Sequence, residues 1–261
     1  MSAPRISVVL PILVPTPFLR SMTRFCIETL RLHADQPFQL IVVEAQENWF
    51  DPAHHDLGLA VLYPDSYLNF SPKKGSVKEF NAGANLAEGE FILSFGNDVF
   101  MPPHWDTELL RCFKDRPDCG VASLSAFERG AIIGPPEPID MIVEGHYSPI
   151  MMFRSGDRMD EAYRKIYCDS DFIMRVYERG QRSYRSCRAH AHHFLRMTTD
   201  SVNPAEHRVD LAHDERLFYQ RWGKSPLAIF GTLRAGGYIF GREHESFLRP
   251  IQLHYDPNVA A

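Results

Sequence analysis

Residues 90 to 105, Glu-Phe-Ile-Leu-Ser-Phe-Gly-Asn-Asp-Val-Phe-Met-Pro-Pro-His-Trp, bring a carboxylate to the end of an apolar run. Phe91 to Phe95 is short enough for a buried strand and stops at Gly96, so Asn97 and Asp98 stand where that strand leaves a sheet. In open α/β sheets ligands gather at the carboxyl ends of strands, and an Asp there can hold a hard divalent cation against phosphate oxygens. The same Asp could instead cap the next turn. His190, His192 and His193 close another strand-like stretch, where an imidazole could complete a metal site with Asp98 as its partner. Lacking that partner they are ordinary surface or core histidines. A third group, Cys168-Asp169-Ser170-Asp171, opens a helix-like stretch. Asp169 or Ser170 could cap that helix, or one carboxylate could face a site as a general base while its neighbour holds the helix start.

Glu44 is a second acid placed directly after an apolar strand. It could accept hydrogen bonds from ribose hydroxyls or a base N–H, or it is a solvated loop acid. Lys73, Lys74 and Lys78 surround the start of a helix, where backbone N–H groups and the dipole favour an anion such as a diphosphate; otherwise they are a solvated surface.

The elements that must position these groups alternate strand and helix. Ile6 to Leu10 reads as a first buried strand ended by Pro11. Pro15 and Pro17 lead into a helix through Leu32, with Phe18, Met22, Phe25 and Leu30 among its apolar positions, and a second strand runs from Phe38 to Val43. This β-α-β opening predicts a parallel sheet with a right-handed crossover. Further strands are expected at Leu59 to Tyr63, Gly120 to Ser125, Ser148 to Arg154 and Ser183 to Ala191, and helices at Ser76 to Leu86, Trp105 to Phe113, Cys168 to Gly180 and 205 to 222. Residues 126 to 147 carry three prolines and three glycines with little periodicity, which predicts a long loop over the site, an acceptor lid or an insertion.

The totals exclude several classes. A chain of 261 residues with 44% hydrophobic and 12% aromatic content is that of a globular protein able to bury its own core. Its formal charge of -5 supplies no global basic field, so nucleic acid is not expected as a partner. Five scattered cysteines without a C-x-x-C pair point to a reduced, cytoplasmic setting without structural zinc. The stretch Ile6 to Val14 is broken by Pro11 and followed by Pro15, unlike a signal peptide, and no segment reaches ~18 uninterrupted apolar residues, so no membrane span is expected.

Taken in order, these landmarks resemble the family 2 glycosyltransferases. Ile6 to Pro11 looks like their opening strand and proline, and Val42-Val43-Glu44 sits where the family has an Asp that contacts the nucleotide. Asn81-Ala82-Gly83, with Ala87, Gly89, Glu90 and Phe91, is similar to the family's N-x-G…A-x-G-E-aromatic run. Gly96-Asn97-Asp98-Val99 corresponds to the D-x-D region in its N-D-T variant, followed by Pro103-His104-Trp105. Met159-Asp160-Glu161 resembles F-D-E, Cys168-Asp169-Ser170-Asp171-Phe172 with Arg175 and Gly180 resembles E-D-x-D-L…R…G, and Phe218 to Gly223 resembles a trailing F…W-G. Gly96, Cys168 and Glu44 depart from the pattern, replacing the first acid of D-x-D, the Glu before the base, and the nucleotide-contacting Asp.

The resemblance covers residues 5 to 223. It implies an α/β fold of the GT-A type, a Rossmann-like mixed, mainly parallel sheet flanked by helices, over residues 1–200, with a helical C-terminal extension over 201–261 that covers the core, forms a homodimer contact or touches a membrane surface. The implied activity is that of an inverting, hexosyltransferase-like enzyme. Asp169 is the implied base; Asp98 with His192 or His193 would bind Mn2+ or Mg2+; Pro11, Glu44, Lys78, Asn81, Asn97 and Asp98 are the implied donor contacts. The expected donor is a nucleotide sugar, UDP being the usual base, and the acceptor a glycan, lipid-linked or other hydroxyl. Two rivals stand beside it. A non-catalytic nucleotide-sugar-binding protein of the same fold would account for Gly96 and Cys168, whereas a sugar-phosphate nucleotidyltransferase would want a glycine-rich basic loop where Pro11-Ile12-Leu13-Val14-Pro15 stands.

Overall fold

The computed structural model describes residues 5–14, 16–45, 48–53, 55–70, 75–128, 131–145, 149–194 and 204–223. Lys73 and Lys74, and the C-terminal stretch from residue 224, lie outside them. One mixed sheet of ten strands runs β3-β2-β1-β4-β9-β6-β10-β5, with β7 added to β6 and β8 to β10. The strands β1 (Ile6–Ile12), β2 (Gln39–Glu44), β3 (Ser66–Asn69), β4 (Phe91–Phe95), β6 (Cys119–Glu128) and β10 (Arg182–His193) all point the same way. The opposing strands are β5 (Val99–Phe100), β7 (Ala131–Ile133), β8 (Ile142–Glu144) and β9 (Ile150–Arg154). The carboxyl ends of β2, β4, β6 and β10 therefore share one edge, the place where such sheets bind ligands.

Helices cover both faces. On one side α1 (Pro17–Leu32) and α3 (Trp105–Asp115) pack on Leu10, Leu40, Leu93 and Leu124; on the other α2 (Ser76–Ala84), α4 (Cys168–Glu178) and α5 (Pro204–Trp222) pack on Val9, Ile41, Val121 and Phe153. Coverage of both faces explains why the central strands read as continuous apolar runs rather than alternating ones.

Several sequence expectations change. β1 continues through Pro11 to Ile12, with Pro11 in register with Val43 and half-buried. Phe18 and Phe25 face outward at 55% exposure each, and α1 buries Leu19, Thr23, Cys26 and Ile27 instead. Leu59 to Tyr63 is a single 3-10 turn over Ala60–Leu62, while the third strand lies at Ser66–Asn69, whose half-exposed edge position needs no apolar run. Residues 126 to 147 are not one loop, since β6 extends to Glu128, β7 folds back on it, and β8 pairs with β10.

Gly89 shows how tightly the first layer is knit. A Cβ there would stand 2.8 Å from both the Ile6 carbonyl carbon and the Ser7 nitrogen. Its own N–H donates to Ser7 Oγ at 2.9 Å, and Ser7 in turn donates to Gln39 Oε1 at 2.6 Å. Because the obstructing atoms are backbone, Gly89→Ala is expected to cost about 2 to 3 kcal/mol. That corresponds to a fall of roughly 5 to 10 °C in the thermal midpoint for a chain of this size. An unfolding scan with an unchanged midpoint would refute the packing account.

Candidate active site

β4 ends at Phe95, and the chain turns through Gly96-Asn97-Asp98 before β5 descends. This turn is fastened to α1. Asn97 Nδ2 donates to Thr23 Oγ1 at 3.0 Å, the Cys26 thiol donates to the Gly96 carbonyl at 3.5 Å, and the Met101 amide donates to Thr29 Oγ1 at 3.2 Å. Burial, with a smaller push from Asp98, raises the Cys26 thiol well above its ordinary pKa, which keeps its proton available for that bond. Across the turn, Val99 is in register with His193, and the Phe194 amide donates to the Asp98 carbonyl at 2.9 Å.

Asp98 Oδ1 consequently lies 3.4 Å from His193 Nε2, with the side chains 12% and 8% exposed. His192 points the other way. It is exposed, and its ring lies 5.0 Å from that of Phe127. His190 stacks on the same Phe127 and sits 2.7 Å from the Pro135 carbonyl through Nε2; burial lowers its pKa below the usual imidazole value. Strand alternation sets His193 apart from His190 and His192, and the phase is set by a register shift. Between Ser186 and His190 four residues of β10 pass while β6 advances from Leu124 to Ser125. A Cβ at Gly96 would come 3.0 Å from Asp98 Oδ1, so a larger residue there would need the Asp98 side chain to shift slightly.

At 3.4 Å the Asp98–His193 pair is at ion-pair distance, and both side chains are close enough to reach one cation. No group of three His, Cys, Asp or Glu side chains suited to a metal is present among the described residues. A cation on this pair alone would need its remaining ligands from elsewhere, as Mg2+ takes them from phosphate oxygens and water in phosphate chemistry.

The expected donor contacts divide. Asn97 is 6% exposed and tied to Thr23, next to Asp98. Glu44 is fully buried: Oε1 accepts from the Trp49 amide at 3.0 Å, and Oε2 from the Phe50 amide at 2.9 Å and Tyr67 Oη at 2.8 Å. Its carboxylate shapes the loop that presents Trp49 instead of standing open to a ribose. Asn81 is equally committed. Its Nδ2 donates to the Met159 carbonyl at 2.8 Å and Glu161 Oε1 at 3.1 Å, and its Oδ1 accepts from the Met159 amide at 3.2 Å. It fastens the 159–161 segment to α2. Lys78 is exposed on α2.

Asp169 is the second residue of α4. Neither it nor Ser170 caps the helix; Tyr167 holds the cap position with φ 60°, in the left-handed region, and makes no side-chain cap bond. A bulky residue there costs of order 1 to 3 kcal/mol and persists only when its surroundings impose it. α4 ends at Glu178, Gly180 turns the chain, and the Arg182 amide donates to the Asp118 carbonyl at 2.8 Å beside the start of β6. The first turn of α4 must then lie toward the opposite edge, the one carrying Asp98 and His193. Cys168, in place of the family's Glu, is buried, and that burial raises its thiol pKa well above the ordinary value, so it brings no charge beside Asp169.

Asp171, two residues on, is 0% exposed and acts as a hub. Oδ1 accepts from Tyr163 Oη at 3.2 Å, Arg221 Nη1 at 2.7 Å and Trp222 Nε1 at 3.1 Å, and Oδ2 from Arg175 Nε at 2.8 Å. Arg221 also reaches Asp160 Oδ2 at 2.7 Å. The helix over 204–222, the described part of the expected extension, covers the core, with Phe218 and Asp214 both fully buried. Asp214 is a buried acid of this region that sequence reasoning missed. Its signal was legible: Asp210, Asp214, Phe218 and Trp222 recur every fourth residue, one stripe of a helix.

No protein-family model matches the chain, and no curated protein matches it significantly. Solved structures do. TarS of S. aureus, residues 1–349, superposes with a TM-score of 0.52 at 15% identity, covering 98% of this chain and 89% of that one. The same protein in complex with UDP-GlcNAc gives a TM-score of 0.57 at 14% identity over 96% and 80%. A longer TarS structure gives 0.54 at 16% identity over 98% and 54%. The chain has a GT-A-like fold. At these identities the likeness establishes the architecture, and the chemistry has to come from the side chains. No helix among the described residues is long and apolar enough to cross a membrane.

Proposed function

We propose that the chain is a metal-dependent, inverting glycosyltransferase of the family 2 type that moves a sugar, hexose-like, from a nucleoside diphosphate to an acceptor hydroxyl. The observation that carries this reading is the 3.4 Å approach of Asp98 to His193 at the sheet edge toward which the Asp169 end of α4 is directed. TarS structures of the same fold hold UDP and UDP-GlcNAc, which supports a nucleotide-sugar donor and UDP as its nucleotide. The acceptor is a glycan, a lipid-linked sugar or another hydroxyl.

Asp98 and His193 would hold Mn2+ or Mg2+ against the donor diphosphate. When bound, such an ion offsets the charge that grows on the departing diphosphate. Asp169 accepts the acceptor's hydroxyl proton on a carboxylate oxygen as the acceptor oxygen attacks the anomeric carbon. The bond to the acceptor forms while the bond to the diphosphate oxygen breaks on the opposite face, so a single displacement inverts the centre. Asn97, anchored by Thr23, keeps the turn from swinging Asp98 away.

Calorimetry with UDP and Mn2+ tests the donor half. Wild type is expected to bind UDP with Mn2+ and weakly without it. Asp98→Ala and His193→Ala should each lose at least about tenfold, in line with loss of a metal ligand, while His192→Ala stays near wild type. Binding that ignores Mn2+ would overturn the metal assignment, and no UDP binding at all would overturn the donor.

A further inference from the structure

We infer that α5, acting through Asp214, is a positioning element for the base on α4; this rests on the reading of Asp169 as that base. Asp214 sits in the middle of α5 with its side chain 0% exposed. Its carboxylate accepts three successive backbone N–H groups, those of Arg164 at 3.0 Å, Lys165 at 2.9 Å and Ile166 at 2.8 Å, and also meets His213 Nδ1 at 2.9 Å. Consecutive amides turned on one anion form a concave nest. Here the anion is a side chain from a distant helix.

The residue after that nest is Tyr167, held at φ 60°. Its ring lies 6.1 Å from that of Phe218, one turn beyond Asp214 on the same stripe of α5. Its carbonyl accepts the Asp171 amide at 2.8 Å, the first bond of α4. One helix thus grips the backbone before the strained residue and the ring of the strained residue itself. Cys168 and Asp169 follow directly, so the direction of Asp169 depends on a conformation that a free Tyr backbone would leave. Docking of α5 does not by itself require this clamp, because the Asp171 hub and buried Phe218 already anchor the helix.

The experiment uses the full chain and three readouts. In Asp214→Asn, which turns N–H groups toward the amide nest, kcat is expected to fall about 10- to 100-fold, the scale of a base displaced by about 1 Å. The affinity for UDP with Mn2+ should stay within about twofold, since the donor half is untouched. Adding Tyr167→Gly should recover at least about threefold of kcat, because glycine enters the left-handed region without penalty. Amide hydrogen exchange over 164–171 should rise in Asp214→Asn while the β4 amides keep their wild-type rate. Phe218→Leu, which leaves the Asp214 nest intact and thins the packing on Tyr167 and on the core beneath α5, should repeat the pattern more weakly and serves if Asp214→Asn does not fold. Unchanged exchange over 164–171 in both variants would overturn the inference, as would raised exchange with kcat at the wild-type value. If wild type neither transfers nor hydrolyses a nucleotide sugar, the transferase reading fails by itself. The exchange data still decide whether α5 sets the start of α4.

Discussion

Replacing Asp169 by Asn is expected to lower transferase turnover by about 10²- to 10⁴-fold, the usual contribution of a positioned base, while leaving donor affinity nearly intact. The assignment follows from which carboxylates are spoken for. In the segment that leads into α4, Asp160 receives the Ala162 amide and Arg221, Glu161 receives Asn81, and Asp171 receives four donors. Among the described residues the Asp169 carboxylate, unlike these three, accepts no hydrogen bond and makes no ion pair, which is why the proposed mechanism gives it the substrate proton. It is half-buried, at the first turn of a helix whose other end is anchored beside β6. The Asn variant keeps that shape and removes the proton acceptor. Steady-state kinetics beside UDP calorimetry separates the two halves of the site: loss of turnover with binding preserved is expected, and full turnover in the variant would remove Asp169 from the mechanism.

Asp171→Ala should have the largest effect on stability, with little to do with chemistry. The side chain is wholly buried, and its removal strands the Tyr163 hydroxyl and the Trp222 indole N–H, each at about 1 to 3 kcal/mol. Arg175 and Arg221 are 29% and 33% exposed and can turn partly to water, so the ionic part deserves a discount. Burial opposes the charge on Arg221, but its bonds to Asp171 and Asp160 outweigh that and hold its pKa above the ordinary value. We expect a total loss of about 3 to 4 kcal/mol, read as a lower urea midpoint. A loss below about 1 kcal/mol would mean that α5 is held by its apolar contacts alone. The contrast with Asp169→Asn, which should barely move the midpoint, distinguishes a docking acid from a chemical one two residues away.

The order of elements was legible because local signals carry it. Continuous apolar runs named β1, β2 and β4, and periodic runs named α1, α3 and α4, within a residue or three at each end. The misses share a cause. Ser66–Asn69 is an edge strand, half-exposed, so no apolar alternation marks it, whereas Leu59 to Tyr63 is apolar enough for a strand and forms only a 3-10 turn. The stretch after Ser125 reads as punctuation, yet it contributes β7 and β8 through pairing with β6 and β10, contacts no local pattern encodes.

By itself the sequence determined the alternating α/β order, the acid that closes β4, and the acidic start of α4, all features of neighbouring residues. Tertiary structure decided which polar groups are committed to internal bonds. Glu44 and Asn81 look open in sequence and turn out to be consumed by internal bonds, because a polar group becomes committed only when a distant segment arrives with the matching donor or acceptor. Likewise, whether His192 or His193 meets Asp98 hangs on the register shift between Ser186 and His190, since strand side chains alternate and a change of phase exchanges the two faces.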